Sequence, residues 1–170
     1  MAQLRDSASG ARLLCATTHL YWDPALADVK AAQVSHALRC IAEFRTAAAD
    51  GASPSASSAP LQQLPVIFSG DYNSLPNSEV YARLTDTSGA HGLPPLRSAY
   101  AAANASGAEP RFTNFTPTFS GTLDYLLTTP DVALHAVLAM PSKDTLGAGL
   151  PNAHIPSDHL PLLAVYSLAA

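Results

Sequence analysis

Charged residues of either sign are scarce in this 170-residue chain. Only 13% of its residues are charged, and 9 basic against 13 acidic side chains leave a formal net charge of −4. A chain without a basic excess lacks the electrostatic footprint of a protein that binds nucleic acid passively, through salt-sensitive phosphate contacts. The acidic balance does not exclude chemistry on phosphate esters, because a bound divalent cation brings positive charge to an acidic site.

Cysteine and long apolar runs are also scarce. Cys15 and Cys40 are predicted to lie in a strand and a helix as small buried apolar residues, which favours a reducing, intracellular compartment. We expect the cytoplasm, with the nucleus or an organelle as alternatives. Residues 1–12 have the features of neither a signal peptide nor a membrane span, and no run is long enough to cross a bilayer. The length and 48% hydrophobic content suit one domain with a sizeable core and no membrane partner.

Short apolar runs typical of strands alternate with segments whose apolar residues recur at helical spacing. This pattern predicts an α/β fold. Residues 50–63 are rich in Gly, Ser, Pro and Ala and predict a flexible insertion. One long helix cannot cover both faces of a sheet, so we expect one sheet face to be poorly covered. The predicted strands are 12–19, 64–69, 122–128, 133–140 and 160–168, and the predicted helices are 25–49, about 78–85 and one turn near 98–104.

Polar motifs stand at or beside the ends of these apolar runs. They are Thr18–His19, Gly70–Asn73, Gly121–Tyr125 and Ser157–His159. Together they supply carboxylates, an amide and imidazoles from neighbouring strand ends, the groups that metal-assisted cleavage of phosphate esters requires.

Most of these residues also have an ordinary structural explanation when taken singly. His19 at a strand end is more often structural than catalytic, Asp71 could cap a turn, and Asn73 could form an Asx turn. Asp124 is harder to explain, because a carboxylate within an apolar strand is costly to bury without a partner. We therefore predict that Asp124 accepts a hydrogen bond from His159 and fixes its tautomer. We further expect Asp71 and Asp158 to reach a metal ion or water, and Asn73 to orient a phosphate oxygen.

The order of the motifs resembles the endonuclease/exonuclease/phosphatase superfamily. The matching segments are Thr18–Pro24, Gly70–Pro76, Arg111–Thr116, Gly121–Leu126 and Ile155–Pro161. Within the superfamily the chain is most similar to the carbon catabolite repressor deadenylases, the nuclease of the Ccr–Not complex, especially those of plants and algae. The resemblance implies a two-layer β-sandwich flanked by helices. It also implies a Mg²⁺-dependent (alternatively Mn²⁺-dependent) 3′–5′ exoribonuclease that removes poly(A) from single-stranded RNA, with Ccr–Not-type subunits as partners.

The resemblance also implies roles for single residues. Asp71 would position or activate the attacking water and, with Asp158, reach the metal. Asn73 would hold the scissile phosphate. Asp124 and His159 would form an orienting pair, with His159 and His19 contacting the phosphate. Phe119 would stack on the target base beside Pro24, although an ordinary core position for Phe119 stays open.

One departure from the superfamily pattern limits these expectations. The relatives begin with a strand ending in asparagine and a later strand carrying a glutamate, their main metal ligand, and this chain has neither. Residues 12–170 are therefore expected to be the C-terminal half of one domain, truncated at its N-terminus. Residues 1–11 are expected to be a non-native or disordered start. Activity of this chain alone would be impaired. The alternatives are a nucleotide phosphatase or 2′–5′ phosphodiesterase of the same superfamily, and a non-catalytic fragment.

Overall fold

The computed structural model describes residues 1–50 and 64–168. These residues form nine strands and four helices. In chain order they are β1 (Ala2–Arg5), β2 (Arg12–His19), α1 (Ala27–Asp50), β3 (Val66–Asp71), α2 (Glu79–Leu84), β4 (Arg97–Ser98), α3 (Ala99–Ala103), β5 (Asn114–Phe115), β6 (Ser120–Gly121), β7 (Asp124–Thr128), β8 (Val132–Val137), α4 (Lys143–Leu146) and β9 (Ala164–Leu168).

The main sheet has five strands in the order β1-β2-β3-β7-β4. β2 and β3 run parallel, joined by the crossover through α1, and every other neighbouring pair in this sheet is antiparallel. Two further sheets have two strands each, β5 with β6 and β8 with β9. Sheets with connecting helices confirm the predicted α/β class.

The buried face of α1 matches the predicted one only in part. The apolar spacing predicts a face that includes Val34, Leu38 and Ile41, and these three are buried. It also predicts that Val29 and Phe44 face the core, but they are 37% and 38% exposed. The residues buried along the helix are Lys30, Ala31, Val34, Leu38, Ile41 and Arg45. Spacings of three and four residues put this set on one side of the helix, with a lysine and an arginine near the two ends of the stripe.

The core lies between this helix, α2 and one face of the main sheet. From the sheet it receives Leu14 and Ala16 of β2, Val66 and Phe68 of β3, and Tyr125 and Leu127 of β7, all buried. Alternate residues point to the opposite sheet face. There Leu13, Cys15, Ile67 and Leu126 are only half-buried. The expectation of a poorly covered sheet face is confirmed for the described residues.

The structure corrects the predictions for the start of the chain and for the burial of the two cysteines. Residues 1–11 are not a disordered start, because Ala2–Arg5 pairs antiparallel with Arg12–Cys15 of β2. Cys15 and Cys40 are both free, as expected, but half-buried rather than buried. Except for Asp50, the last residue of α1, the predicted insertion at 50–63 lies outside the described residues. No helix in the described ranges combines the length and apolar character that a bilayer span needs.

Candidate active site

The ends of three adjacent strands bring three predicted site residues into line. His19, the last residue of β2, is paired in register with Asp71, the last residue of β3. Asp71 is in turn paired with Asp124, the first residue of β7. The parallel and antiparallel pairings thus place an imidazole and two carboxylates side by side at one edge of the main sheet.

Gly70 permits the close approach of β3 to β2 just before Asp71. A Cβ atom at this position would lie 2.0 Å from the carbonyl oxygen of Thr18, and Gly70 has a φ of +153°. After Asp71, Asn73 adopts a left-handed conformation with φ 46°, the only positive φ of a non-glycine residue in the described part of the chain. Its amide N–H donates to Oδ1 of Asp71 at 2.8 Å, as in an Asx turn.

His159 and Asp124 form the predicted pair. Nδ1 of His159 donates to Oδ2 of Asp124 at 2.8 Å, because an ionised carboxylate can only accept. The hydroxyl of Thr113 donates to the same oxygen at 2.6 Å. The Thr113 hydroxyl also accepts the backbone N–H groups of Leu123 and Asp124. Asp124 is therefore held from two sides, and the Nε2 edge of His159 is left facing Asp71.

Asp71 lies between the two histidines. Its Oδ2 is 3.4 Å from Nε2 of His19 and 3.8 Å from Nε2 of His159. Burial raises the pKa of Asp71 above its ordinary value, outweighing the hydrogen bond from the Asn73 amide, and nearby Asp124 raises it further. Burial lowers the pKa of His159, but the Asp124 hydrogen bond and the charges of Asp124, Asp71 and Asp158 outweigh it and raise the pKa. The arrangement favours a basic carboxylate beside a cationic imidazole.

Asp71, Asp124 and His159 are the one group in the described residues whose ligand atoms lie close enough to share a metal ion, all within 4.8 Å of one another. Asp158 is not in this group. Its Oδ2 accepts from the side-chain amide of Asn114 at 3.1 Å, and its backbone carbonyl accepts from Phe115. The metal-binding role predicted for Asp158 therefore rests on the sequence resemblance alone.

Phe119 is 40% exposed and Pro24 is exposed, so neither is a core residue. The Phe119 ring lies over Gly121, where a Cβ would come within 2.8 Å of its Cζ. A separate cavity of about 650 Å³, lined by residues such as Tyr100, Leu138 and Met140, includes none of the predicted site residues.

Comparison with protein families supports one assignment. The model of the "Endonuclease/Exonuclease/phosphatase family" matches residues 18–159. This chain belongs to that family. The matched segment begins at Thr18 and ends at His159, within the first and last polar motifs of the site. All the catalytic candidates of this endonuclease/exonuclease/phosphatase family member therefore lie inside the matched segment.

Curated relatives of this family member include carbon catabolite repressor proteins, one of them named as an exoribonuclease. The chain is 38% identical over 169 residues to "Carbon catabolite repressor protein 4 homolog 4" of Arabidopsis thaliana, covering 92% of this chain and 38% of the relative. It is 30% identical over 200 residues to "CCR4-Not complex 3'-5'-exoribonuclease subunit Ccr4" of Mycosarcoma maydis, covering 99% of this chain and 29% of that relative. The chain thus spans between a quarter and two fifths of the length of these two relatives.

Solved structures agree on the endonuclease/exonuclease/phosphatase fold. The human Nocturnin catalytic domain with bound sulfate superposes with a TM-score of 0.73 at 25% identity, covering 98% of this chain and 51% of that one. ANGEL2, described as a 2′,3′-cyclic phosphatase, gives a TM-score of 0.71 at 22% identity, with 92% and 57% covered. The chain therefore spans about half of each solved domain.

Two residues that contact the site were not predicted from the sequence. Thr113 is fully buried and its hydroxyl donates to Asp124. It lies in the matching segment Arg111–Thr116, but no role was predicted for it. Lys30 is 4% exposed and donates to the backbone carbonyl of Asn73 at 2.9 Å. The burial of Lys30 was not predicted, because a lysine inside an amphipathic helix usually lies on the solvent face.

Proposed function

We propose that this chain carries the catalytic half-site of a phosphodiester hydrolase, a 3′–5′ exoribonuclease of the poly(A) deadenylase type. The observation that supports it most is the convergence of His19, Asp71, Asp124 and His159 at one edge of the main sheet. The name of the Mycosarcoma maydis relative supplies the reaction, exonuclease cleavage of RNA in the 3′–5′ direction.

Asp71 is proposed to position the attacking water and to accept its proton at Oδ2. Burial raises the pKa of this carboxyl, which makes it a stronger base than an exposed aspartate. In the left-handed turn at Asn73, the backbone N–H of this residue donates to Asp71. Its side-chain Nδ2 donates one hydrogen bond to the Leu20 carbonyl. The rest of the carboxamide has no partner in the described part of the chain and is proposed to bind a non-bridging phosphate oxygen.

His159 is proposed to stabilise the negative charge that develops on the phosphate. Its Nδ1–H is committed to Asp124, so Nε2 is the atom that can face the substrate. The raised pKa of His159 favours the imidazolium, which carries a proton at Nε2 as well. His19, with a side chain 72% exposed beside Asp71, is proposed to make a second phosphate contact from the solvent side.

The donor set fits a hard divalent cation in part. Oxygens of Asp71 and Asp124 lie within reach of one ion, but Asp124 already accepts from His159 and Thr113, so Asp71 is the better placed of the two to hold a cation. Burial raises the pKa of Asp71, and nearby Asp124 raises it further, as expected for an anionic group lacking a countercharge. We propose that Mg²⁺, or alternatively Mn²⁺, is held by Asp71 with help from Asp158. When bound, such an ion neutralises phosphate charge and lowers the pKa of a coordinated water.

Phe119 is proposed to stack on the base of the 3′ nucleotide, with Pro24 beside it. Its exposed ring, which lies over Gly121 three residues before Asp124, favours this role over packing in the core. The proposed substrate is single-stranded RNA with a poly(A) 3′ end. Subunits of a Ccr–Not-type complex are the proposed protein partners, and an intracellular compartment, the cytoplasm first, is the proposed location.

The test uses the 170-residue chain and a chimera. In the chimera, the part of the Arabidopsis relative that precedes its matching segment is joined in front of the chain, which supplies the strand expected to carry the missing glutamate. Both are assayed with Mg²⁺ on an adenosine-tailed RNA and on a control RNA with another 3′ tail. We expect the chimera to trim the adenosine tail and the 170-residue chain to show negligible activity.

Two results would overturn the proposal. A chimera that is folded but inert on RNA and active on small nucleotides or 2′–5′ linkages would favour the nucleotide phosphatase or 2′–5′ phosphodiesterase reading. A folded chimera inert on every phosphate ester would favour the non-catalytic reading. Robust Mg²⁺-dependent trimming by the 170-residue chain would instead refute the expectation that it is incomplete.

A further inference from the structure

Lys30 is a buried cation outside the polar motifs of the site. It lies in the first turn of α1, its side chain is 4% exposed, and no carboxylate in residues 1–50 or 64–168 forms an ion pair with it. Burying an ammonium group without a countercharge is costly, so lysines in such places have a specific partner. The partner here is the backbone carbonyl of Asn73, 2.9 Å from Nζ.

The residue that Lys30 binds is the one with unusual backbone geometry. Asn73 is held at φ 46° by its amide N–H on Asp71, by its side-chain Nδ2 on the Leu20 carbonyl, and by its own carbonyl on Lys30. Asparagine tolerates the left-handed region better than most residues but still needs surrounding contacts to remain there. Lys30 supplies the one contact of the three that comes from α1.

We propose that Lys30 is a positioning residue that fixes the backbone of Asn73 and so aims its carboxamide at the scissile phosphate. The effect of Lys30 on catalysis rests on the function proposed above, whereas the contact between Lys30 and Asn73 does not. α1 begins eight residues after His19, at the end of the loop that follows β2. Through Lys30, this helix is joined to the turn that follows β3.

Lysine NMR tests the contact independently of activity. The chain contains only two lysines, Lys30 and the exposed Lys143, so ¹⁵N-labelled lysine gives two ammonium signals. In the 170-residue chain we expect the protons of Lys30 to exchange slowly with water and those of Lys143 to exchange rapidly. Lys143→Met assigns the two signals without touching the site. Equal, rapid exchange of both ammonium groups would overturn the contact, and this measurement needs no variant of Lys30.

RNA cleavage by the chimera tests the effect of Lys30 on catalysis. Lys30→Met keeps the length and apolar stem of the side chain and removes the donor. We expect kcat to fall by roughly 10- to 100-fold with KM nearly unchanged, because a misplaced catalytic group costs rate. Arg39→Met, on an exposed cation of the same helix, is the matched control and should leave both constants unchanged.

A double-mutant cycle separates positioning from general support of the fold. Asn73→Gly removes the carboxamide while permitting the left-handed backbone. If Lys30 acts only through Asn73, adding Lys30→Met to Asn73→Gly should change kcat/KM by less than about twofold. A full additional loss would assign Lys30 to structure alone and overturn the proposal. A chimera inert on RNA would contradict the proposed function, whereas the lysine exchange result would still decide the contact.

Discussion

Asp124 shows how one side chain depends on several segments of the chain. It begins β7, accepts from His159 near the last strand, and accepts from Thr113 in the segment before β5. The His159 contact was predicted, because a carboxylate in an apolar strand needs a donor and the motifs offered one. The Thr113 contact was not predicted, because the matching segment Arg111–Thr116 does not indicate which of its side chains reaches Asp124.

We expect Asp124→Asn in the chimera to keep the fold and lose most of the rate. The amide can still accept from His159 but no longer stabilises the imidazolium. The loss should be roughly 10²- to 10⁴-fold in kcat, the usual range for removing acid–base assistance. Asp144→Asn, on an exposed aspartate of α4, is the control. Rates within a few-fold of the parent would exclude the orienting role.

Thr113→Val should destabilise the chain and disturb the pair. It leaves the N–H groups of Leu123 and Asp124 without the Thr113 hydroxyl as acceptor. Loss of a buried acceptor typically costs about 1–3 kcal/mol in the free energy of unfolding. Urea denaturation measures it, and Thr113→Ser, which keeps the hydroxyl, should recover most of the loss. Equal stability of Thr113→Val and the parent would show that these contacts contribute nothing net.

At the scale of elements, the longer ones were predictable and the shorter ones were not. α1, β2, β3 and β7 follow from apolar spacing over five or more residues, and their ends lie within two residues of expectation. β4, β5 and β6 have two residues each, too few to show any period. β1 is exposed throughout, so its pairing with β2 leaves no hydrophobic pattern.

The site could be predicted to the same extent and for a related reason. Its residues lie at the ends of strands with clear patterns, so their convergence follows from strand order. Lys30 binds a backbone carbonyl, and Thr113 binds the Asp124 side chain and two backbone N–H groups. The type and spacing of these two residues do not indicate such partners.

Gly70→Ala should break the junction of β2 and β3. The new methyl group would overlap the Thr18 carbonyl oxygen, a backbone atom that cannot move without disrupting the parallel pairing. We expect a loss on the order of 3 kcal/mol or more in the free energy of unfolding, measured by urea denaturation. Gly107→Ala is the matched control. Gly107 also has a positive φ, but nothing lies within 4 Å of its added Cβ. Similar losses in both variants would mean that strain, not the clash, decides the outcome.

The contact between α2 and the segment before β5 should depend on pH. The hydroxyl of Tyr81 donates to Oε1 of Glu109 at 2.7 Å. Burial nevertheless raises the pKa of Glu109 above its ordinary value of 4.5, outweighing the lowering by its Ser98 and Tyr81 hydrogen bonds. A carboxyl with a raised folded-state pKa favours folding when protonated, so this contribution is fully present below pH 4.5 and is lost as pH rises through the folded-state value.

Glu109→Gln should remove that dependence. The free energy of unfolding of the parent, measured in urea from pH 4 to 8, should fall relative to that of Glu109→Gln as pH rises, because the amide does not ionise. Glu43→Gln, on an exposed glutamate of α1, supplies the comparison for an ordinary surface carboxylate. A parent that gains stability relative to Glu109→Gln with rising pH would contradict the assigned direction.

For the whole molecule, the main observation is apolar surface without cover. One face of the main sheet leaves Cys15, Ile67 and Leu126 half-buried. Near the start of β9, Leu163 and Val165 are 53% and 50% exposed. The two solved structures are each about twice as long as the part that this chain covers.

We therefore expect the 170-residue chain to associate with itself, since open sheet edges and apolar patches promote pairing between copies. Light scattering after size exclusion should give a mass above 17.7 kDa that rises with concentration, whereas the chimera should stay monomeric. Replacing Leu163 and Val165 together with lysine should reduce the association of the short chain, because charge on an exposed strand opposes edge pairing. The same replacement at Leu26, which is also exposed but lies in the loop between β2 and α1, is the control. A monomeric 170-residue chain at high concentration would show that the exposed surfaces do not drive association.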